Sequence, residues 1–184
     1  MKKSIILISI TLWIFNTYAQ NNSFGKTLNI GLGTGFYGYS GYTSPVFNIN
    51  YEFDVAKNFT LAPSVSFYTF SKFYSPGKQL AFVRYRQTIV PIGVKGTYYL
   101  DEALNLNNKW DVYLAGTLGF NVISTRWDNG INYSDKIYRD NIFRYRSPLF
   151  LDIHFGAEYH LNPKTGLYID LSSSFSTFGL SLKI

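Results

Sequence analysis

The residues best suited to chemistry lie close together in LDIHFGAEYHL (151–161). Asp152, His154, Glu158 and His160 are all in that stretch, and His154 and His160 are the only histidines of the chain. An imidazole beside carboxylates is the acid–base half of a hydrolytic site, and imidazole is also the commonest metal ligand. Spacing decides against a shared metal, because six residues of extended chain put the two rings about 20 Å apart. The hydrolytic reading lacks a part as well. A triad needs a nucleophile within hydrogen-bond reach of its base, and no serine neighbours His154 on its own face of the strand. The expectation is a histidine satisfied inside the fold, with no catalytic residue, no metal and no cofactor.

A second chemistry is anion binding. VRYRQ (83–87) and FRYRSP (143–148) match, and their arginines, Arg84, Arg86, Arg144 and Arg146, alternate with tyrosines. A guanidinium grips phosphate in a bidentate fork. These residues are either ordinary charged strand ends or a surface for lipopolysaccharide phosphates or an acidic partner. The stretch TRWDNGINYSDKIYRDN (125–141) adds Trp127, Tyr133 and Tyr138 to the candidate surface. Exposed aromatics beside arginine are typical of interfaces. Asp128, Asn129, Asp135 and Asp140 are oxygen donors, but their spacing specifies no calcium loop. GLGTGF (31–36) has the look of a phosphate loop, yet no helix pattern follows it and strand alternation simply continues.

The elements that must position these groups are strands. Leu28, Ile30, Leu32, Thr34 and Phe36 alternate with Asn29, Gly31, Gly33, Gly35 and Tyr37. The same period of two recurs along the chain and places strands at roughly 26–37, 46–54, 59–70, 80–100, 109–124, 143–160, 167–172 and 175–184. The final hairpin, around Ser172–Ser174, carries the weakest turn signal. Each strand has one greasy face and one small or polar face. Connections alternate too: 55–58, 101–109 and 161–166 fall at every second junction, with 38–44, 71–79 and the long, polar 125–141 between them.

Parity then explains Lys95, which lies in the middle of PIGVKGTYYL (91–100). Ile92, Val94, Gly96, Tyr98 and Leu100 share one face; Pro91, Gly93, Lys95, Thr97 and Tyr99 share the other. A lysine facing lipid at mid-membrane would cost about 2–4 kcal/mol. Facing inward, it meets Glu52, Asp111, Asp152, His154, Glu158 and Asp170, which have matching parity on other strands. These seven residues are expected to form an interior polar network. Eight strands enclose a space just wide enough for side chains to fill, so the network reads as a plug rather than a pore.

Composition agrees. The chain has 184 residues, of which 19% are aromatic, with 16 Tyr and 16 Phe. A transmembrane barrel uses such rings as girdles at both interfaces. Residues 1–19 have the layout of a signal peptide: basic Lys2 and Lys3, an apolar run from Ile5 to Phe15, and small Thr17 and Ala19 before Gln20. That run is too short to span a bilayer as a helix, which takes about 20 residues. Its removal leaves one domain, 20–184, and lowers the formal charge from +6 to +4. A mildly basic exported chain points away from nucleic acid and towards acidic headgroups or glycans. The absence of cysteine fits a cell envelope without disulfides.

The leader, the strand NIGLGTGFYGY, PIGVKGTYYL, GAEYHL and the terminal FGLSLKI together resemble the outer-membrane β-barrel domain families common in Bacteroidota, and more loosely the small OmpA/OmpX-type barrels. The resemblance covers the chain after residue 19. It implies an all-β, eight-stranded antiparallel up-and-down barrel in the outer membrane of a Gram-negative cell. Such barrels usually finish on an aromatic residue, where this chain has Ile184. These families share a scaffold, not an activity. The expected function is therefore a non-enzymatic barrel with a binding, structural or accessory-subunit role. Outer-membrane lipid, lipopolysaccharide and a partner protein in a larger assembly are the expected partners; the alternative is a narrow conduit for a small solute.

Overall fold

The computed structural model describes residues 24–35, 43–74, 83–128 and 149–184. Eight strands form a closed antiparallel barrel in sequence order: β1 (Thr27–Gly35), β2 (Ser44–Ala56), β3 (Phe59–Tyr74), β4 (Val83–Tyr99), β5 (Trp110–Trp127), β6 (Leu149–Asn162), β7 (Thr165–Ser172) and β8 (Phe175–Lys183). β1 pairs with β8, which closes the sheet on itself. Each strand pairs antiparallel with the next in sequence, and short connections make β2–β3, β6–β7 and β7–β8 tight hairpins. Sequence and structure agree on strand number and order, and Ser173 and Ser174 do form the last turn. β2 runs two residues further at each end than the alternation implied, and β3 runs four residues further. Residues 1–19, Arg144, Arg146, Tyr133 and Tyr138 lie outside the described residues.

The two faces of the wall differ as period two demands. Leu114, Leu118, Phe120 and Val122 of β5 are exposed, as are Leu151, Ile153 and Phe155 of β6. Ile169 and Leu171 of β7 and Phe178 and Leu180 of β8 continue that apolar belt. A patch of this extent is not left to water by a soluble protein; it is a surface for hydrocarbon. Tyr98 and Trp110, with Tyr159 packed 4.8 Å from the indole, mark the belt's edge near the short connections. The inward face holds buried Asn48, Asn50, Glu52, Thr60, Ser66, Thr97, Thr117, Asp152, His154 and Asp170. A barrel thus inverts the soluble arrangement, with its polar groups inside.

Glycine lets the wall bend where backbones crowd. Gly93 and Gly119 are cross-strand partners, and so are Gly31 and Gly179. A methyl group on Gly119 would fall 2.3 Å from the Ile92 carbonyl oxygen, and one on Gly179 would fall 2.0 Å from that of Ile30. GLGTGF is thus wall rather than phosphate loop, as far as residue 35. At the short-connection end, α1 (Asp101–Leu104) is a single helical turn inside the segment expected as loop. Asp101 Oδ1 accepts a hydrogen bond from the Val112 N–H at 2.9 Å, which ties that turn to β5.

A filled interior and a charged outer wall as candidate functional sites

Lys95 projects inward from β4 and its ammonium donates to Asp170 Oδ2 of β7. The same carboxylate accepts the Tyr113 hydroxyl at 3.0 Å, and its other oxygen sits 2.7 Å from His154 Nδ1. His154 Nε2 lies 2.8 Å from Thr117 Oγ1. Lys95 Nζ also stands 4.7 Å from the centre of the Tyr113 ring, on its face. One strand up from Asp170, Asp152 is fully buried and accepts from the Ser172 hydroxyl at 2.8 Å, the Ser173 hydroxyl and the Ser174 N–H at 3.1 Å. Asp152 thereby pins the final hairpin. His154 Nε2 is 3.6 Å from Asp152 Oδ2, which links the two carboxylates through one imidazole.

The other interior carboxylates form separate groups. Glu52 accepts from Thr60 and from the Tyr99 hydroxyl at 2.7 Å, while its second oxygen takes the Asn29 amide at 3.1 Å. From there an amide ladder, Asn29 to Asn50 to Asn48, reaches Ser66 at 2.7 Å. Nearer the short connections, His160 Nε2 meets Asp111 Oδ2 at 2.8 Å and His160 Nδ1 meets Glu158 Oε1 at 3.3 Å. Glu158 also accepts the Ser181 hydroxyl. All seven inward residues read from the sequence thus line the interior, but in three groups rather than one network. Lys95, Asp152, His154 and Asp170 share a group; Glu52 stands apart; Asp111 and Glu158 belong with His160. Lys95 is the only lysine in direct ion contact with any of these carboxylates among the described residues, so hydroxyls and amides carry most of the solvation.

Thr117 corrects one expectation. The hydroxyl absent from the face of β6 is supplied by β5, which completes a hydroxyl–imidazole–carboxylate row, Thr117–His154–Asp170. The row has the order of a catalytic triad, yet all three side chains are buried. The space beside them, bounded by Lys95, Asn50 and Tyr168, measures about 10 Å³, room for about one water. No substrate fits there. A larger hollow of about 760 Å³ opens at the short-connection end, lined by Asp101, Lys109, Trp110, Asp111, His160 and Lys183. Phe24 enters its rim, stacked 3.7 Å from Tyr99. Asp54 holds Phe24 there by accepting the Phe24 N–H at 3.0 Å and the Gly25 N–H at 2.9 Å. Burial, with Asp111 alongside, pushes the Asp101 carboxyl up to about 6, against the Val112 N–H that favours its ion.

At the long-loop end, β4 runs without a register shift against β5, so Arg84 and Arg86 share the outward parity of Ile92. Both are exposed. Arg84 pairs with Asp128 at 3.6 Å. Arg126, which sequence reasoning missed, is the direct cross-strand partner of Arg86. Only the β4–β5 register could have revealed it. Trp127 needs a correction: it is not a loop residue. Alternation persists to the end of β5 and turns its indole inward, 5.1 Å from the Tyr85 ring.

No protein-family model matches the chain, and no curated protein sequence matches it. Solved structures do resemble it. Neisserial surface protein A superposes with a TM-score of 0.56 at 11% identity, covering 89% of this chain and 100% of that one. Ail, the attachment invasion locus protein of Yersinia pestis, in complex with the heparin analogue sucrose octasulfate, gives 0.50 at 13% identity, covering 85% and 96%. At such identities the likeness is one of fold, and the fold is that of the small eight-stranded outer-membrane β-barrels.

Proposed function

We propose that this chain is an integral outer-membrane barrel, exported by its N-terminal leader, that acts through its outer wall and long-loop end as a binding, structural or accessory component. It is neither an enzyme nor a conduit. The observation that carries this reading is the filled interior. Lys95, Tyr113, His154 and Asp170 close the lumen by direct hydrogen bonds and leave space for about one water. A solute path would require that group to open, and a catalytic path would require substrate to reach the buried row. What stays accessible is the exterior, together with the open hollow at the short-connection end.

Two measurements test this. Reconstituted into planar bilayers, the barrel gives no unitary conductance, and graded solute flux into vesicles would refute the reading. Purification from native outer membrane in mild detergent then separates the remaining roles. A stoichiometric protein partner identifies an accessory subunit, and a monomer carrying only lipid identifies a stand-alone binding barrel.

A further inference from the structure

The outer ends of β4 and β5 carry a charge arrangement that the filled interior does not explain. Arg86 and Arg126 face each other across the strand pair, both exposed and both on the apolar side of the wall. Directly opposed side chains on antiparallel strands have Cβ atoms about 4.5–5.5 Å apart, and like charges so placed repel. Among the described residues neither guanidinium has a carboxylate partner, whereas Arg84 beside them is held by Asp128. Small hydroxyl residues surround the pair: Ser71 is the partner of Arg86 on β3, and Thr88 is the partner of Ser124 immediately below. An anion between the two forks would turn repulsion into attraction, with a second ring of donors at hand.

Height identifies the anion's source. A strand rising about 3.3 Å per residue and tilted about 40° climbs roughly 2.5 Å per residue along the membrane normal. The hydrocarbon-facing band of such barrels is about 25 Å tall, or roughly ten residues. Counted from Tyr98 at the lower girdle, the band on β4 ends near Thr88. Arg86 then stands about 5 Å above it, in the headgroup layer. Short turns lie at the opposite end, so this layer is the outer leaflet.

We infer that Arg86 and Arg126 clamp a phosphate group on an outer-leaflet lipid headgroup. This rests on the outer-membrane reading above and gives it a ligand class and a site. The phosphate sits between the two planar forks at the seam of β4 and β5, while the acyl chains run down the wall over Val90, Ile92, Phe120 and Val122. The clamp holds the lipid in place as an annular partner and removes the like-charge repulsion of the pair.

The test uses the folded barrel in nanodiscs of digalactosyldiacylglycerol, a bilayer lipid without phosphate, doped with diphosphoryl lipid A or with its dephosphorylated form, and reads lipid retention by native mass spectrometry. Wild type retains the phosphorylated lipid and not the dephosphorylated one. R86Q/R126Q lowers retention at least tenfold, and R84Q, whose charge is already compensated, lowers it less than threefold. Unchanged retention in the double variant overturns the inference. So does loss of retention on adding millimolar inorganic phosphate, which would make free phosphate the ligand. Heat-modifiable gel migration shows that each variant is folded. A wild-type chain that fails to insert into bilayers refutes the outer-membrane reading itself, which separates the two failures.

Discussion

Replacing Lys95 with methionine keeps the length of the side chain and removes its charge. The carboxylate it leaves behind is not orphaned: Asp170 still accepts from the Tyr113 hydroxyl at 3.0 Å and faces His154 Nδ1 at 2.7 Å. Breaking a buried ion pair by removing one partner costs about 3–5 kcal/mol, and those remaining donors place K95M at the lower end, about 3 kcal/mol. D170N is worse. It strips the charge that Lys95, Tyr113 and His154 all face, and leaves an ammonium whose side chain is only 11% exposed without a counterion. About 4–5 kcal/mol is expected. If the two side chains act as a pair, K95M/D170N costs little more than D170N alone, a coupling of about 3 kcal/mol. Urea unfolding of the barrel from lipid vesicles, followed by Trp110 and Trp127 fluorescence, measures all four corners of the cycle. Coupling below about 0.5 kcal/mol, the range for independent sites, would refute the pairing and with it the account of why a lysine lies at mid-wall.

Three further outcomes follow from the same structure. Leu118 is 56% exposed on the outward face, so L118R should destabilise the vesicle-inserted barrel by about 2–4 kcal/mol; a neutral result would mean that this face does not meet hydrocarbon. A Cβ at position 119 meets the Ile92 carbonyl oxygen at 2.3 Å, whereas one at 116 meets only the Asp152 carbonyl oxygen at 3.9 Å. G119A should therefore abolish the heat-modifiable folded form while G116A changes stability by less than about 0.5 kcal/mol. Asp101, raised to about 6 in the folded chain, binds its proton more tightly there than in the unfolded chain, where about 3.9 applies. Its contribution is thus full below about pH 4, falls as pH rises to about 6 and is flat above. D101N keeps an acceptor for Val112, removes that slope and raises stability at pH 7 by about 1 kcal/mol after discounting for solvent screening; an unchanged slope would assign it elsewhere.

Period-two alternation says which face a residue occupies, and that much was legible. Lys95, Asp152 and Asp170 could be assigned to the lumen because strand parity leaves no other choice. It does not say which residue stands alongside, since neighbours depend on the stagger between strands. The meeting of Thr117 with His154 was therefore invisible: it needs the β5–β6 register, in which Thr117 opposes Asp152 and Ala115 opposes His154. The same gap hid Arg126 beside Arg86. Trp127 was misplaced for a different reason. A polar, aspartate-rich stretch reads as loop, yet Ser124 to Trp127 continue the β5 ladder against Tyr85 to Thr88.

The seam between β1 and β8 has a kinetic meaning. It pairs Thr27 with Lys183 and Gly35 with Phe175, and the Ile184 N–H extends it to the Lys26 carbonyl oxygen at 2.8 Å. Its halves come from opposite ends of the described chain, so closing it carries the largest loop entropy of any pairing in the molecule. Until β8 arrives, β1 presents a bare row of donors and acceptors, a template for any passing strand. The polar groups suffer the same delay. Lys95 on β4 can reach Asp170 on β7 across the lumen only once the wall has curled towards closure, and the wall cannot enter hydrocarbon with unpaired backbone. Assembly is consequently close to all-or-none, and an escort that guards the open edge until the last strand docks would govern yield more than final stability does.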